Sequence, residues 1–209
     1  DLPHLSEVRA ADLRPAGRTA PIGDVHSSGL LHRGLCLFVP EHPTGRILML
    51  RRSPSVVTCP GAWGLVGEHS LAAEPWRRTA QRALREELGL ELPLARISLL
   101  GQPVLFKSDY ARDGGLGARV RGTKRDLQVT ATLLAELPPG PPPKFTFDED
   151  VAESTWLSPS EVEQWALSDA RDARAAGNES ARYVCNDPIR ALLRLALRRL
   201  REAPPPKIR

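Results

Sequence analysis

The sequence contains no apolar run that approaches the roughly 20 residues needed to cross a bilayer, so we expect no membrane span. Neither sign of charge dominates, because 29 Lys and Arg stand against 25 Asp and Glu, for a net charge of +4. This mild excess would attract phosphate groups, but we expect no nucleic-acid polymer as a partner. Hydrophobic residues at 41% and charged residues at 26% are typical of a globular protein, which excludes a disordered or fibrous chain.

Cysteine is scarce, and the three residues of this type, Cys36, Cys59 and Cys185, are widely separated. Their odd number and the lack of a C-x-x-C spacing predict neither a disulfide framework nor a zinc knuckle. We therefore expect a reducing intracellular compartment, the cytoplasm or an organelle. The sequence begins with Asp1 rather than Met, so we expect a preceding segment, and targeting stays open.

A chain of 209 residues is long enough for one domain with a proper core and too short for two ordinary domains. Proline and glycine interrupt residues 1–24, and residues 203–209 are rich in proline, a composition typical of tails. We therefore place one domain at 25–202, between two tails. The oligomeric state stays open.

Hydrophobic patterning predicts several strands. Apolar runs at 35–39 and 47–50 flank turn-forming residues and predict a β-hairpin. Further strands are expected over 97–106, 127–137 and 154–157. The glycine-rich, basic segment 107–126 lies between two of these strands and is predicted to be a loop, a kind of segment that often carries specificity.

Three helices are expected. The apolar spacing over 75–88 predicts a helix that Gly89 ends. Ser158 and Glu161 form a capping box, in which each side chain satisfies a backbone donor at the start of a second helix. A third helix follows Asn186, with an apolar stripe opposite a row of arginines. Helices and strands together predict a mixed α/β fold.

The residues that carry chemistry concentrate on the predicted helix over 75–88. Arg82 and Glu86 are four residues apart and share one helix face, and Glu87 lies beside them. Grouped carboxylates bind Mg²⁺ or Mn²⁺, hard cations that prefer oxygen ligands, and Glu74 could join them from the preceding loop. A solvated helix face with an ion pair between Arg82 and Glu86 is the alternative explanation of the same residues.

This spacing resembles the Nudix hydrolase family, whose box reads G-x5-E-x7-R-E-U-x-E-E-x-G-U, with U an aliphatic residue. The residues in register with the box are Glu74, Arg82, Leu84, Glu86, Glu87, Gly89 and Leu90. The resemblance spans roughly residues 25–165. It implies a Nudix α/β/α sandwich with a mixed β-sheet and a loop–helix–loop motif.

The same resemblance implies a metal-dependent diphosphatase, or pyrophosphohydrolase, with Mg²⁺ or Mn²⁺ as cofactor. Its substrate would be a small molecule, a nucleoside diphosphate derivative or a related organic diphosphate. The catalytic residues are then Glu86, Glu87 and Arg82, and the metal ligands are Glu74, Glu86 and Glu87. Arginines bind phosphate oxygens and an aromatic ring can form a pocket wall, so four residues are expected to contact the substrate: Arg51, Arg52, Trp63 and His69.

Two positions depart from the box, because Glu68 replaces its glycine and Ala83 replaces the first glutamate of the R-E-U-x-E-E run. In the family that glutamate binds metal or acts as the base, and a positioned general base contributes about 10²–10⁴-fold to the rate. Glu68, Asp150 or Glu153 could take over this role. The alternative function is a catalytically impaired Nudix module that binds a diphosphate ligand or a protein partner.

A further resemblance is to the Nudix subgroup related to isopentenyl-diphosphate isomerase, in which histidines bind a divalent metal and a cysteine moves protons. His32 and His69 match histidines of this subgroup. However, Gly67 stands at the cysteine position, and Asp126 and Gln128 stand where two glutamates are expected, so we do not predict isomerase chemistry. The candidates for a metal or phosphate pocket are His26, His32 and His69, each of which alone is more often a hydrogen-bonded structural residue.

Overall fold

The computed structural model describes residues 5–7, 19–112, 124–167 and 184–202. In these ranges the strands are β1 (Leu5–Glu7), β2 (Leu31–Phe38), β3 (Ile47–Arg52), β4 (Trp63–Gly64), β5 (Val66–His69), β6 (Ile97–Leu99), β7 (Val104–Asp109), β8 (Arg125–Ala135) and β9 (Val151–Leu157). The helices are α1 (Ile22–Ser28), α2 (Trp76–Leu88), α3 (Pro159–Leu167) and α4 (Asp187–Glu202), and a 3₁₀ turn, Leu94–Arg96, precedes β6. Helices and strands are mixed, as predicted.

The strands form two sheets. The larger sheet has the order β1-β7-β8-β2-β5, and β6 also pairs with β8. The smaller sheet has the order β4-β3-β9. β2 runs parallel to β8 from Leu31 to Phe38, whereas the other pairs are antiparallel, so the larger sheet is mixed, as predicted.

The prediction that 35–39 and 47–50 pair as a β-hairpin is wrong, although the chain does reverse between them. The Leu48 N–H donates to the Val39 carbonyl at 3.0 Å, but β2 then enters the larger sheet and β3 the smaller one. Both strands are buried over most of their length, which is typical of strands packed on both faces. The turn signal therefore identified a local reversal of the chain, and pairing with distant strands determined the sheets.

Two apolar cores lie on opposite faces of β2 and β3. The core beneath α3 and α4 includes Cys36, Phe38, Met49, Val162, Leu193 and Leu197. The core beneath α2 includes Leu35, Leu37, Leu48, Ala83, Leu84 and Leu88. Successive side chains of a strand point to opposite faces, which explains why neighbours along β2 enter different cores. The resulting order of helix, sheet and helix layers confirms the predicted α/β/α sandwich.

The helix ends follow the local signals in the sequence. Gly89 adopts the left-handed conformation at φ 62° after α2, and its N–H donates to the Arg85 carbonyl at 3.0 Å. At α3 the Ser158 hydroxyl accepts the Glu161 N–H at 3.3 Å, and the Glu161 carboxylate accepts the Ser158 N–H at 2.8 Å. The Asn186 side chain caps α4. The predicted capping box and glycine stop are therefore confirmed.

Several boundaries differ from those predicted. The run 97–106 is divided between β6 and β7, which both pair with β8. Both ends of the predicted loop over 107–126 extend β7 and β8, and residues 113–123 lie outside the described residues. Leu5–Glu7, within the predicted N-terminal tail, pairs with β7. Within the described part of the chain, every helix is too short or too polar to cross a membrane.

Cys59 and Cys185 form a disulfide, so the prediction that the cysteines form no disulfide is wrong. Their Cα atoms lie 5.4 Å apart, although the residues are separated by 126 positions in sequence. No local spacing signals such a pair, because the tertiary fold brings the loop between β3 and β4 to the residues before α4. The expectation of a reducing compartment was based on the absence of a disulfide, so it is no longer supported.

We predict that Leu84→Ala lowers the free energy of unfolding by about 2–5 kcal/mol, because it leaves a cavity in the core beneath α2. Leu84 has no exposed surface in the fold. Arg85→Ala is the matched control on the same helix, since the Arg85 side chain is 55% exposed and should change stability by less than about 0.5 kcal/mol. Denaturant unfolding followed by circular dichroism checks both values, and equal stabilities of the two variants would contradict the assigned packing.

Candidate active site

A cavity of about 730 Å³ opens between the sheets, α2 and α4. Its walls carry three kinds of side chain. One wall has the carboxylates of α2 and of the turn before β9, another has histidines with Asp126, and the deep part is apolar, with Phe106, Leu192 and Leu193. A cavity that combines an apolar floor with converging charged groups is the usual form of a small-molecule site.

The acidic wall is built around Glu87, which α2 directs into the cavity. Burial raises the pKa of Glu87 to about 8, and the negative charges of Glu68 and Asp148 act in the same direction, whereas Arg52 opposes them. Glu86 also lines the cavity, but its side chain is 46% exposed. The carboxylates are therefore crowded enough to repel one another, a condition that a bound cation relieves.

Arg82 lies at the centre of a network behind this wall. Its guanidinium group contacts a carboxylate oxygen of Glu86 at 3.0 Å, one of Glu68 at 3.2 Å and both oxygens of Glu74 at 3.1 and 3.2 Å. It also donates to the His69 carbonyl at 2.6 Å. The hydrogen bonds to Glu74 are the main reason why the pKa of Arg82 is raised. Arg82 thus ties α2 to β5.

Glu74 has its carboxylate oxygens fully engaged. Besides Arg82, they accept the Leu71 N–H at 3.0 Å and the Thr79 hydroxyl at 2.9 Å. Hydrogen bonds of this kind hold the pKa of Glu74 below its usual value, although burial acts against them. In this geometry Glu74 orients Arg82, and direct metal binding by Glu74 would have to replace these bonds.

The two departures from the Nudix box lie close to the acidic wall. Ala83 has no exposed surface and belongs to the core beneath α2. Glu68, on β5, lines the cavity, and burial raises its pKa. Asp150 lines the cavity too, whereas Glu153 is 53% exposed and pairs with Arg51 at 3.4 Å. Of the three candidate bases, Glu68 and Asp150 therefore face the cavity.

His26, His32, His69 and Asp126 form a second group, the histidine–aspartate group, whose donor atoms all lie within 4.8 Å of one another. β2 places His32 opposite Gln128 on the parallel strand β8, and antiparallel pairing with β5 places His69 opposite Gly34. α1, which precedes β2, supplies His26. Four elements, α1, β2, β5 and β8, thus converge at one point.

The atoms of this group face one another. Asp126 Oδ1 lies 3.0 Å from His26 Nε2 and 3.5 Å from His32 Nε2. The three atoms are buried, and none has a hydrogen-bond partner of good geometry. On the outer side, the Tyr110 hydroxyl donates to Asp126 Oδ2 at 2.6 Å, and His32 Nδ1 lies 2.9 Å from the Leu30 carbonyl.

The charge states of the group suit a cation. Burial lowers the pKa of His69 to about 4, with a smaller effect from the two other histidines, so its ring is neutral near pH 7. Burial alone would raise the pKa of Asp126, but His26, His32 and the Tyr110 hydroxyl hold it well below its usual range. A neutral imidazole and an ionised carboxylate are the forms that bind metal ions.

Gln128 lines the cavity and is the register partner of His32. Its side chain lies against β2 at Gly34, where an added Cβ would come within 1.7 Å of the amide nitrogen. Its amide oxygen accepts the Thr130 hydroxyl at 2.9 Å. A side chain at position 34 would therefore displace the Gln128 amide from this contact.

All four predicted substrate contacts, Arg51, Arg52, Trp63 and His69, line the cavity. Arg52 donates to the Thr58 carbonyl at 2.8 Å. Trp63 is 5% exposed and packs edge-on against Trp165, with ring centroids 5.4 Å apart. The structure thus brings these residues together with Glu86 and Glu87.

The sequence patterns did not indicate two cavity residues, Lys124 and Tyr110, and they identified His26, His32 and His69 only as candidates for a metal or phosphate pocket, without Asp126 as a ligand. The Lys124 ammonium group lines the cavity and donates to the Thr58 hydroxyl at 3.3 Å. Burial lowers the pKa of Lys124. Both residues lie within the predicted loop over 107–126, and the pairing of β7 with β8 brings them to the cavity. The match of His32 and His69 to histidines of the isomerase-related subgroup was the signal in the sequence that pointed to the histidine–aspartate group.

Curated relatives match part of this chain. Nudix hydrolase 3 of Arabidopsis thaliana is 35% identical over 78 residues, which are 37% of this chain and 10% of that protein. Isopentenyl-diphosphate Delta-isomerase 2 of Photorhabdus laumondii is 32% identical over 84 residues, 37% of this chain and 47% of that protein. The chain thus spans about a tenth and about half the length of these two relatives.

Among solved structures, the MutT protein from Methanosarcina mazei has the same fold, with a TM-score of 0.53 at 14% sequence identity. The match covers 82% of this chain and 94% of that one. The family model of the NUDIX domain matches residues 30–176, more than two thirds of the chain and the region that contains the carboxylates of α2. This chain therefore belongs to the Nudix family.

Proposed function

We propose that the protein is a divalent-metal-dependent hydrolase that cleaves a diphosphate linkage in a nucleoside diphosphate derivative or a related small organic diphosphate. One observation carries the proposal: the carboxylates of Glu86 and Glu87 line the same cavity as Arg51 and Arg52. Cations and carboxylates that line one cavity suit a phosphate group that shares a metal ion with the acids. Family membership supports diphosphate hydrolysis in general.

The acidic wall is the proposed site of Mg²⁺ or Mn²⁺. Glu87 would hold the ion together with Glu86 and with Glu68, which would take the place of the missing box glutamate. These carboxylates would have to move closer together around the ion, because among the described residues the ligand atoms that lie within 4.8 Å of one another are those of the histidine–aspartate group. The pKa of Glu87 is raised although Arg52 opposes the shift, so burial and the neighbouring acids outweigh this cation, and a hard cation stabilises a carboxylate in such an environment. When bound, such an ion neutralises phosphate charge and lowers the pKa of a coordinated water.

The protein's own residues have distinct roles in this proposal. Arg82 fixes the acids, because it contacts Glu68, Glu74 and Glu86 at once. Arg52 and Lys124 provide positive charge for the phosphate oxygens. Glu68 or Asp150 would accept a proton from the attacking water, and the walls of the cavity limit the access of bulk solvent.

The histidine–aspartate group fits a second divalent ion. Its buried donor atoms without hydrogen-bond partners are the direct support, because unpaired buried polar atoms are costly. Imidazole ligands suit ions such as Zn²⁺ and Fe²⁺ better than Mg²⁺. Isomerase chemistry finds no support here, since Gly67 offers no side chain for proton transfer and Gln128 is neutral.

Ala83 favours the second candidate function, a module that binds a diphosphate ligand or a protein partner without turnover. Ala83 is fully buried, so the helix carries one carboxylate fewer than the Nudix box. The two functions share a ligand-binding cavity and differ in the rate of the chemical step. Turnover by the protein separates them.

We predict metal-dependent release of phosphate or phosphomonoester from at least one member of a panel of nucleoside, sugar-nucleotide and isoprenoid diphosphates. Glu87→Gln should lower kcat/KM by at least about 10²-fold, because the amide cannot hold the cation or its charge. Glu91→Gln, an exposed residue beyond the same helix, is the control and should leave kcat/KM unchanged. Assays run with Mg²⁺, with Mn²⁺ and with a chelator.

Two results would contradict this assignment. Equal rates for Glu87→Gln and the wild type would remove the acidic wall from the mechanism. No release from the whole panel by a folded wild-type protein would favour the binding module.

We predict that His32→Gln weakens Zn²⁺ binding by at least about 10²-fold, because it removes a nitrogen ligand from the histidine–aspartate group. His42→Gln is the matched control, since His42 is exposed and does not belong to the group. Isothermal titration of both variants and the wild type gives the comparison. Identical affinities for the three proteins would exclude a metal site at these histidines.

We predict that the stability of the metal-free protein falls between pH 7 and 9 because of Glu87. Its folded-state pKa of about 8 exceeds the unfolded value, so the folded state holds an extra proton that is lost as the pH rises. His69 has a pKa of about 4, so its contribution is complete above pH 6.5 and does not vary in this range.

The measurement compares unfolding free energies in the presence of a chelator at pH 7 and pH 9. Wild type should lose on the order of 1 kcal/mol more than Glu87→Gln, which has no carboxyl group to titrate. Parallel pH profiles for the two proteins would contradict the environment assigned to Glu87.

A further inference from the structure

Tyr110 joins two features of the cavity. It follows β7, is 6% exposed, and packs in a small buried cluster with Cys59, Ala62 and Cys185. From that cluster its hydroxyl reaches Asp126 Oδ2 at 2.6 Å. One side chain therefore contacts both the disulfide region and the histidine–aspartate group.

The hydrogen bond determines how the Asp126 carboxylate is turned. With Oδ2 held by Tyr110, Oδ1 faces His26 at 3.0 Å and His32 at 3.5 Å. Groups that bond the outer atom of a metal ligand orient it, and their loss costs about 10–100-fold in metal affinity. Tyr110 is in the position from which such an effect is exerted.

The disulfide fixes the surroundings of the Tyr110 ring. It joins the loop between β3 and β4 to the residue that precedes Asn186 and α4. Cys59 adopts a φ of 52°, a conformation that residues other than glycine rarely adopt and that needs support from its surroundings. Next to it, the Thr58 hydroxyl accepts a bond from Lys124, whose ammonium group lies 5.8 Å from the centre of the Tyr110 ring.

We propose that Tyr110 is a positioning residue for Asp126 in the histidine–aspartate group, and that the disulfide between Cys59 and Cys185 holds the Tyr110 ring in place for this role. The inference rests on the metal site proposed above and on no step of hydrolysis. Opening the disulfide should then weaken metal binding. A dithiol reduces it in two exchange steps. One thiol forms a mixed disulfide with one cysteine and releases the other cysteine as a thiol, and the second thiol then closes the reagent into a cyclic disulfide and releases the first cysteine as a thiol.

The experiment is a titration of the full protein with Co²⁺, followed by its visible absorption. Nitrogen ligation at low coordination number gives a much stronger band than carboxylates and water, so the signal reports the histidine–aspartate group rather than the acidic wall. Tyr110→Phe removes the hydroxyl and keeps the ring. It should weaken Co²⁺ binding by about 10–100-fold.

Thr132→Val is the matched control. It also removes a buried hydroxyl from the larger sheet, but this hydroxyl bonds the Cys36 thiol and lies six positions along β8 from Asp126. Its Co²⁺ affinity should equal that of the wild type. Thermal melts of the metal-free proteins show whether Tyr110→Phe acts on the site or on global stability. An effect confined to the site leaves the melting temperature of Tyr110→Phe close to that of the control.

The disulfide is tested by the double variant Cys59→Ser with Cys185→Ser. It should show a loss of Co²⁺ affinity similar to that of Tyr110→Phe, and adding Tyr110→Phe to it should cause little further loss, because residues that act through one another are not additive. If the serine variant does not fold, wild type reduced by a water-soluble phosphine, which becomes the phosphine oxide, gives the same comparison.

Each outcome decides the proposal. The proposal is overturned if Tyr110→Phe binds Co²⁺ as tightly as the wild type. It is also overturned if the protein with an opened disulfide binds Co²⁺ as tightly as the wild type, or if the protein with both changes loses the full product of the two fold reductions in Co²⁺ affinity. A wild-type protein without the strong Co²⁺ band overturns both this inference and the metal site. A protein that shows the expected losses but hydrolyses no diphosphate leaves the inference intact and removes only the hydrolase function.

Discussion

Eight residues of β2 pair in parallel with β8, and both the cores and the site depend on that register. The pairing places His32 beside the segment that carries Asp126, and β5 on the other edge of β2 adds His69. The same strand sends alternate side chains into two cores, so its position in the sheet is fixed from both faces. A slip of one residue would exchange the faces and separate the histidines from the aspartate.

The cavity gathers buried carboxylates of like charge, an arrangement that is unfavourable for the stability of the fold. Glu87 is kept protonated near neutral pH by burial and by neighbouring acids, while Arg82 compensates the carboxylates behind it. Such an arrangement costs stability while the carboxylates are uncompensated, and the cation of the proposed function would offset that cost. The histidine–aspartate group also gathers buried polar atoms, with a different set of ligand atoms, so the cavity is bordered by two polar groups of different chemistry.

Local signals in the sequence predicted much of the fold. Gly89, the Ser158 capping box and the box spacing from Glu74 to Leu90 each depend on neighbours within one or two helical turns, and the sandwich follows from the family resemblance. Long-range pairing was harder to predict. The separation of β2 and β3 into two sheets depends on strands β8 and β9, and the partner of Cys59 lies in a segment that no spacing connects to it. Likewise Asp126, in a segment predicted to be a loop, enters the site only through strand pairing.

The disulfide also changes the topology of the molecule. With Cys59 joined to Cys185, the backbone from the β3–β4 loop to the start of α4 becomes a covalent ring that contains the helices α2 and α3 and six strands, β4 to β9. A single break of the backbone anywhere within this ring opens it but releases no fragment. The helix that carries Glu86 and Glu87 and the strand that carries Asp126 therefore stay in one molecule after such a cut, as long as the two sulfur atoms remain bonded.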